Sequence, residues 1–133
     1  MEVTVQTPYN FGSFSINGTG TVSLGYDDSR SATGDIQLMG IDYHAATFIL
    51  TITAERTINI YFPDNQYITR NEGTETIPVS LGPADKGLSF PASALPLENT
   101  INIGGTLSLS GPQVNPPGAY SGQVEVEFTI VYE

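Results

Sequence analysis

The chain has 133 residues, 14 of them acidic and 4 basic, which gives a formal net charge of −10 at pH 7. This length fits one domain over residues 1–133, because a chain of this size buries roughly two thirds of its unfolded surface. The charge repels a phosphate backbone, so we expect no nucleic-acid partner. No window approaches the roughly 18 consecutive apolar residues of a membrane helix, so we expect no membrane insertion.

Alternation with a period of two residues recurs along the chain and predicts an all-β fold. The predicted strands, in chain order, are Val3–Gln6, Phe11–Ile16, Thr19–Leu24, Gly34–Met39, Thr47–Ala54, Thr57–Phe62, Thr76–Leu81, Thr106–Ser110 and Gly122–Tyr132, with short strands near Tyr67–Thr69 and Leu88–Phe90. Between them, Asn17-Gly18 predicts a tight hairpin, Gly104-Gly105 a turn, and Asp27-Asp28-Ser29 a turn capped by side chains.

The last predicted strand has the clearest alternation in the chain. Its apolar face carries Val124, Val126, Phe128, Ile130 and Tyr132. Burying each such side chain contributes about 1.5–3 kcal/mol before costs, so we expect this face to close the core.

Several runs in the chain match a known pattern in order and spacing. They are Tyr9–Phe14, Gly20–Leu24 and Arg30–Ile36 in the first third, and Gly104–Leu107, Pro117–Gly122 and the alternating strand ending in Val131-Tyr132 in the last third. Together they resemble a bacterial family of secreted β domains of unknown function. Spore coat protein U domains and chaperone–usher fimbrial subunits are similar in looser form.

The resemblance implies an immunoglobulin-like or pilin-like antiparallel β-sandwich, secreted to the periplasm or the bacterial cell surface. It implies a non-catalytic structural subunit of a surface or fimbria-like filament, whose partners are identical or homologous subunits and, in chaperone–usher systems, a periplasmic chaperone and an usher. The chain departs from many such pilins in having no cysteine, and residues 1–8 are short for a donor extension.

The N-terminal segment, residues 1–8, has two interpretations. In strand addition an extended segment pairs with an open sheet edge and inserts alternate side chains into a neighbour's core, and Val3 and Val5 are the residues that would insert. Alternatively, the segment is an ordinary first strand of its own sandwich, and we favour this interpretation.

The chain has few candidates for chemistry. His44 is the only histidine, and no Gly-x-Ser-x-Gly elbow is present, so we expect neither a catalytic triad nor a metal site, and no cofactor. Tyr120, just before the last strand, is predicted to tie its hydroxyl back to the backbone. Tyr26, Tyr61 and similar tyrosines keep open the alternative of a monomeric secreted adhesin or a module that binds carbohydrate or protein.

Overall fold

The computed structural model describes residues 1–95 and 99–131, and within them the protein is all-β with curled antiparallel sheets. The strands of these residues are β1 (Glu2–Thr7), β2 (Ser13–Leu24), β3 (Arg30–Met39), β4 (Ala46–Thr51), β5 (Arg56–Tyr61), β6 (Gln66–Arg70), β7 (Thr76–Ala84), β8 (Ser89–Ala92), β9 (Thr100–Ser110), β10 (Tyr120–Ser121) and β11 (Glu127–Val131). All of the strand pairs are antiparallel.

The larger sheet is organised around β9. One edge of β9 pairs first with β4, from Ile103 opposite Ala46, and further along with β2, up to Ser110 opposite Thr19. Its other edge pairs with β7, and the path continues through β6 to β10. Strand β1 lies outside β4, and β3 lies outside β2. The smaller sheet has the order β11-β5-β8.

The apolar side chains form two core clusters. The first core cluster lies where the smaller sheet packs on β4 and the beginning of β9, and includes Leu50, Ile58 and Ile101. The ring of Phe48 on β4 meets that of Phe128 on β11 edge to face, with centroids 5.5 Å apart, so the two sheets contact each other directly here.

The second core cluster lies within the curl of the larger sheet. Its buried members are Val22 on β2, Ile77 and Val79 on β7, and Leu107 and Leu109 on β9. Half-buried residues of β2, β3, β6 and β7 and of the connecting segments pack around them. The cluster is therefore covered by the larger sheet and its loops rather than by a second sheet.

The predicted hairpin at Asn17-Gly18 is wrong, because β2 runs through both residues. The pairing with β3 is Ile16 opposite Ile36 and then Gly20 opposite Gly34, so the pair lies in a bulge of β2. The hairpin turn comes later, at residues 25–29, where the predicted side-chain capping is confirmed: the Ser29 amide donates to the Asp27 carboxylate over 3.1 Å.

The predicted turn at Gly104-Gly105 is also wrong, since both residues lie inside β9 and are buried. A Cβ at Gly104 would clash with the carbonyl oxygen of Leu24 on β2, so close approach of two backbones explains this glycine. Glycine in a strand marks such contacts as readily as it marks a turn.

The predicted closing strand Gly122–Tyr132 is shorter in the structure, where β11 covers Glu127–Val131. Residues 122–126 lie outside any strand. The side-chain amide of Gln66 takes the place of a backbone ladder here: its Nε2 donates to the Glu125 carbonyl, and its Oε1 accepts from the Glu125 amide.

The apolar face of this segment is divided between the two clusters. Val124 packs on the second core cluster, whereas Val126, Phe128 and Ile130 pack on the first, and all four are half-buried. Tyr132, the fifth residue of the predicted face, lies outside the described residues.

Gly104→Ala is expected to destabilise the protein by about 3 kcal/mol, the upper end of the cost of overpacking, because the added methyl group meets a carbonyl oxygen rather than a movable side chain. Gly105→Ala is the matched control. Its methyl group would lie 3.3 Å from the ring of Phe11, which can shift, so we expect a loss of about 1 kcal/mol. Urea unfolding measures both, and equal losses would contradict the explanation.

Candidate functional site

A groove of about 860 Å³ lies between the segment 9–17 and the loop 115–122. Ile77 and Leu107 form its deep floor, and Ile68 contributes a half-buried side chain. These residues belong to the second core cluster. The groove therefore reaches the core at the place where the larger sheet does not cover it.

The groove lies at a gap in the curled sheet. The first half of β2, Ser13–Ile16, pairs only with β3, because β2 meets β9 only from Thr19 onward. On the opposite side, β10 pairs only with β6. Two strand edges thus flank the gap without being paired to each other.

The wall at residues 9–13 is held by polar contacts. The Tyr9 hydroxyl donates to the Gly104 carbonyl over 3.0 Å, and the Tyr9 ring stacks on Phe11 with centroids 5.9 Å apart. Asn10 and His44 exchange two backbone hydrogen bonds of 3.0 and 2.9 Å. His44, the only histidine, is thus part of a backbone bridge that positions this wall.

Arg30 holds the same wall from β3. Its Nη1 donates to the carbonyls of Phe11, over 2.9 Å, and Ser13, over 3.2 Å, while its Nη2 donates to Met39 over 2.9 Å. Its guanidinium also lies 4.2 Å from the centroid of the Tyr43 ring. The planar guanidinium group has several N–H donors in fixed positions, so it can donate to carbonyls on two chain segments at once.

The opposite wall depends on Asn115, whose side chain is 1% exposed. Its Oδ1 accepts from the Ser110 amide and its Nδ2 donates to the Thr76 carbonyl, each over 2.9 Å. The Tyr120 hydroxyl donates to the Pro116 carbonyl over 2.7 Å, which confirms the predicted tie-back. Both walls are therefore fixed by side-chain hydrogen bonds to distant backbone groups, although Arg30 Nε and His44 Nδ1 are buried without a hydrogen-bond partner.

The groove carries no formal charge on its lining. Each lining residue within the described ranges is apolar, aromatic, Gly, Pro, Ser or Asn, although the whole chain has a net charge of −10. Burial raises the pKa of the Tyr9 hydroxyl and that of the Tyr120 hydroxyl, so both stay neutral at physiological pH. An occupant of this groove is expected to be uncharged.

Strand β1 carries the residues predicted for strand addition. It pairs with its own β4, with Glu2 opposite Thr51 and Val3 opposite Leu50. None of its six residues is buried, and Val3 and Val5 are 42% and 55% exposed. The strand is thus attached by its backbone and contributes little to either core cluster.

The sequence did not identify Arg30 and Asn115 as the residues that fix the two groove walls. Arg30 is one of four basic residues, and Asn115 precedes the pair Pro116-Pro117, but neither feature indicates which distant backbone groups these side chains reach.

Among residues 1–95 and 99–131, no group of three or more His, Asp or Glu side chains is placed to hold a metal ion. The same residues contain no helix long and apolar enough to cross a membrane.

Arg30→Lys is expected to lower the free energy of unfolding by about 2 kcal/mol, because an ammonium cannot reach the carbonyls on both segments. Hydrogen exchange at residues 9–13 should also become faster. Arg56→Lys on β5 is the control for a change of guanidinium to ammonium elsewhere in the fold, and it should leave exchange at residues 9–13 unchanged. Unchanged exchange in Arg30→Lys would show that this wall does not depend on the guanidinium.

Stability is expected to fall above pH 10 in a way that depends on Tyr9. The unfolded tyrosine loses its proton near pH 10, while the buried one keeps it, so the native state binds more protons and unfolding becomes easier as pH rises. The slope from this group is at most about 1.4 kcal/mol per pH unit. Denaturant unfolding between pH 9 and 11 should show a shallower fall for Tyr9→Phe than for the original chain.

Comparison with known proteins identifies a family for the chain, but no individual related protein or structure. No curated protein matches the chain. No solved structure matches it either. One family model matches residues 1–132, and it is described as a domain of unknown function, DUF4402. Because the match covers nearly the whole chain, the protein belongs to the DUF4402 family.

Proposed function

We propose that the protein is a non-catalytic structural subunit of a bacterial surface or fimbria-like assembly, with an immunoglobulin-like or pilin-like sandwich as its frame. The observation that carries the proposal is β1, an edge strand whose Val3 and Val5 are exposed although they alternate as core-facing residues do. Such a strand is suited to binding another copy of the chain.

The energetic argument follows from burial. Detaching β1 from β4 breaks backbone hydrogen bonds, each with a net contribution of about 1 kcal/mol, and uncovers little apolar surface. Pairing with an equivalent edge in another copy restores these bonds. If Val3 and Val5 also become buried there, each adds about 1.5–3 kcal/mol, and this gain, which the single chain does not have, offsets part of the cost of association.

The sandwich assignment is supported by the first core cluster, where the smaller sheet packs across from β4 and β9. In this proposal the protein is secreted to the periplasm or the cell surface, and its partners are identical or homologous subunits. A periplasmic chaperone and an usher would protect the open groove before assembly, since exposed apolar grooves and strand edges favour aggregation.

A second candidate is a monomeric secreted adhesin or binding module. Tyr61 on β5 and Tyr67 on β6 are 55% and 56% exposed, and such rings can stack on sugars. A glycan array separates this candidate from the first: a signal that disappears in Tyr61→Ala and Tyr67→Ala, from a protein that stays monomeric, would favour it.

The structural proposal predicts that the purified protein forms oligomers that depend on β1. Val3→Asp with Val5→Asp should abolish them, because a charge cannot be buried in an apolar contact. Since both valines are exposed in the single chain, its stability should change by no more than about 0.5 kcal/mol. Light scattering after size exclusion and unboiled gel electrophoresis provide the measurement.

Thr4→Asp with Gln6→Asp is the matched control, because it adds the same charge to the same strand on the alternate face. These chains should still assemble. An original chain that remains monomeric at high concentration, or a loss of oligomers in both double variants alike, would contradict an assembly driven by Val3 and Val5.

A further inference from the structure

We infer that the groove between the first half of β2 and β10 is the acceptor for strand β1 of a second copy of this chain. This inference rests on the proposed function and extends it, because it names the site, the segment that occupies it and the residues that face the floor. The alternative acceptor is the edge of β4 that β1 covers in its own chain.

The gap lies between two strand edges that are not paired to each other. The stretch Ser13–Asn17 forms one side of the groove, and β2 does not reach β9 before Thr19. On the other side Tyr120–Gly122 line the groove, and β10 is paired only with β6. A strand inserted here would find backbone donors and acceptors on both sides.

The floor of the groove determines which side chains an inserted strand needs. Ile77 and Leu107 are buried at its base, and the half-buried Phe14, Ile16 and Ile68 surround them. A bound strand faces this floor with every second residue, so the floor requires apolar side chains at positions i and i+2. Val3 and Val5 have this spacing and are available in the single chain.

The absence of charge on the groove lining also restricts which segment of the chain can be the inserted strand. The groove lining is uncharged, and Val3–Thr7 is an uncharged run in a chain with 14 acidic residues. Copies of the same chain repel one another, so contact through two uncharged segments brings the fewest like charges together. On one side of the gap, Ser13–Asn17 spans five residues, about 17 Å when extended, which is enough for the run Val3–Thr7, whereas the other side offers the three residues Tyr120–Gly122.

The segment that follows β1 permits the transfer. Pro8 comes directly after β1, and Tyr9 and Asn10 are fixed to Gly104 and His44 by hydrogen bonds. Proline has no amide hydrogen to pair in a sheet, so the ladder of β1 ends there. Strand β1 can therefore leave β4 without moving the groove wall that begins at Tyr9.

A locked chain tests the acceptor separately from the donor. Glu2 and Thr51 are direct partners in the β1–β4 ladder, so Glu2→Cys with Thr51→Cys should form a disulfide that holds β1 on its own β4. The original chain has no cysteine to interfere. The oxidised chain keeps the β4 edge covered and leaves the groove as the acceptor for an added strand.

The probe is a fluorescent peptide with the sequence of residues 1–8, and binding is measured by fluorescence anisotropy. We expect saturable binding to the oxidised full-length chain, and at least about tenfold weaker binding of the peptide with Val3→Asp and Val5→Asp. Ile68→Asp in the locked chain should weaken binding similarly, whereas Thr129→Asp on the exposed face of β11 should not. The two peptides test specificity even if Ile68→Asp does not fold.

The outcomes separate the two proposals. If the original chain assembles through Val3 and Val5 but the locked chain does not bind the peptide, the acceptor is the β4 edge and the groove inference is overturned while the proposed function stands. If both peptides bind equally, the groove does not select these valines and the inference is also overturned. If the original chain does not assemble at all, the proposed function fails with it.

Discussion

The close approach of β2 and β9 at Gly104 is the contact on which the rest of the structure depends. Strand β9 pairs with β4 before this point and with β2 after it, so its two halves belong to the two core clusters. Ile101 and Ile103 enter the first, and Leu107 and Leu109 enter the second. One strand thereby connects the half of the molecule where the smaller sheet packs on the larger one with the curled half.

The same arrangement explains why the groove exists. The smaller sheet covers the first core cluster, and its β11 supplies Phe128 and Ile130 to it. Residues 122–126, which precede β11, form no strand; the Gln66 side chain bonds the backbone of Glu125, and Val124 is the one residue of this segment that packs on the second core cluster. A closing segment divided in this way covers one cluster well and the other incompletely.

Sequence reasoning predicted the elements whose cause is local. Alternation in the chain identified most strands, and the Asp27 turn and the Tyr120 hydroxyl follow from contacts within a few residues. It failed where the cause is a distant backbone. Nothing near Gly104 in the sequence indicates that Leu24 will lie against it. Asn17-Gly18 fits a hairpin as well as a bulge until the pairing with β3 is known.

The candidate site shows the same limit. Val3 and Val5 could be named from alternation alone, and their exposure adds the reason why they are available. The proposed acceptor groove could not be named, because it combines residues from six parts of the chain. Arg30 and Asn115, which fix its two walls, act on carbonyls and amides that carry no sequence signature.

The net charge of the chain and its open apolar groove have opposite effects on association between copies. An apolar groove beside unpaired strand edges favours uncontrolled association, and a net charge of −10 opposes it by repulsion between copies. This repulsion acts over a Debye length of about 8 Å at physiological salt, whereas strand pairing acts only at contact. In the proposed assembly, copies therefore meet with the least repulsion where both surfaces are uncharged. The run Val3–Thr7 of β1 and the groove lining are both uncharged, so this repulsion is weakest between these two surfaces.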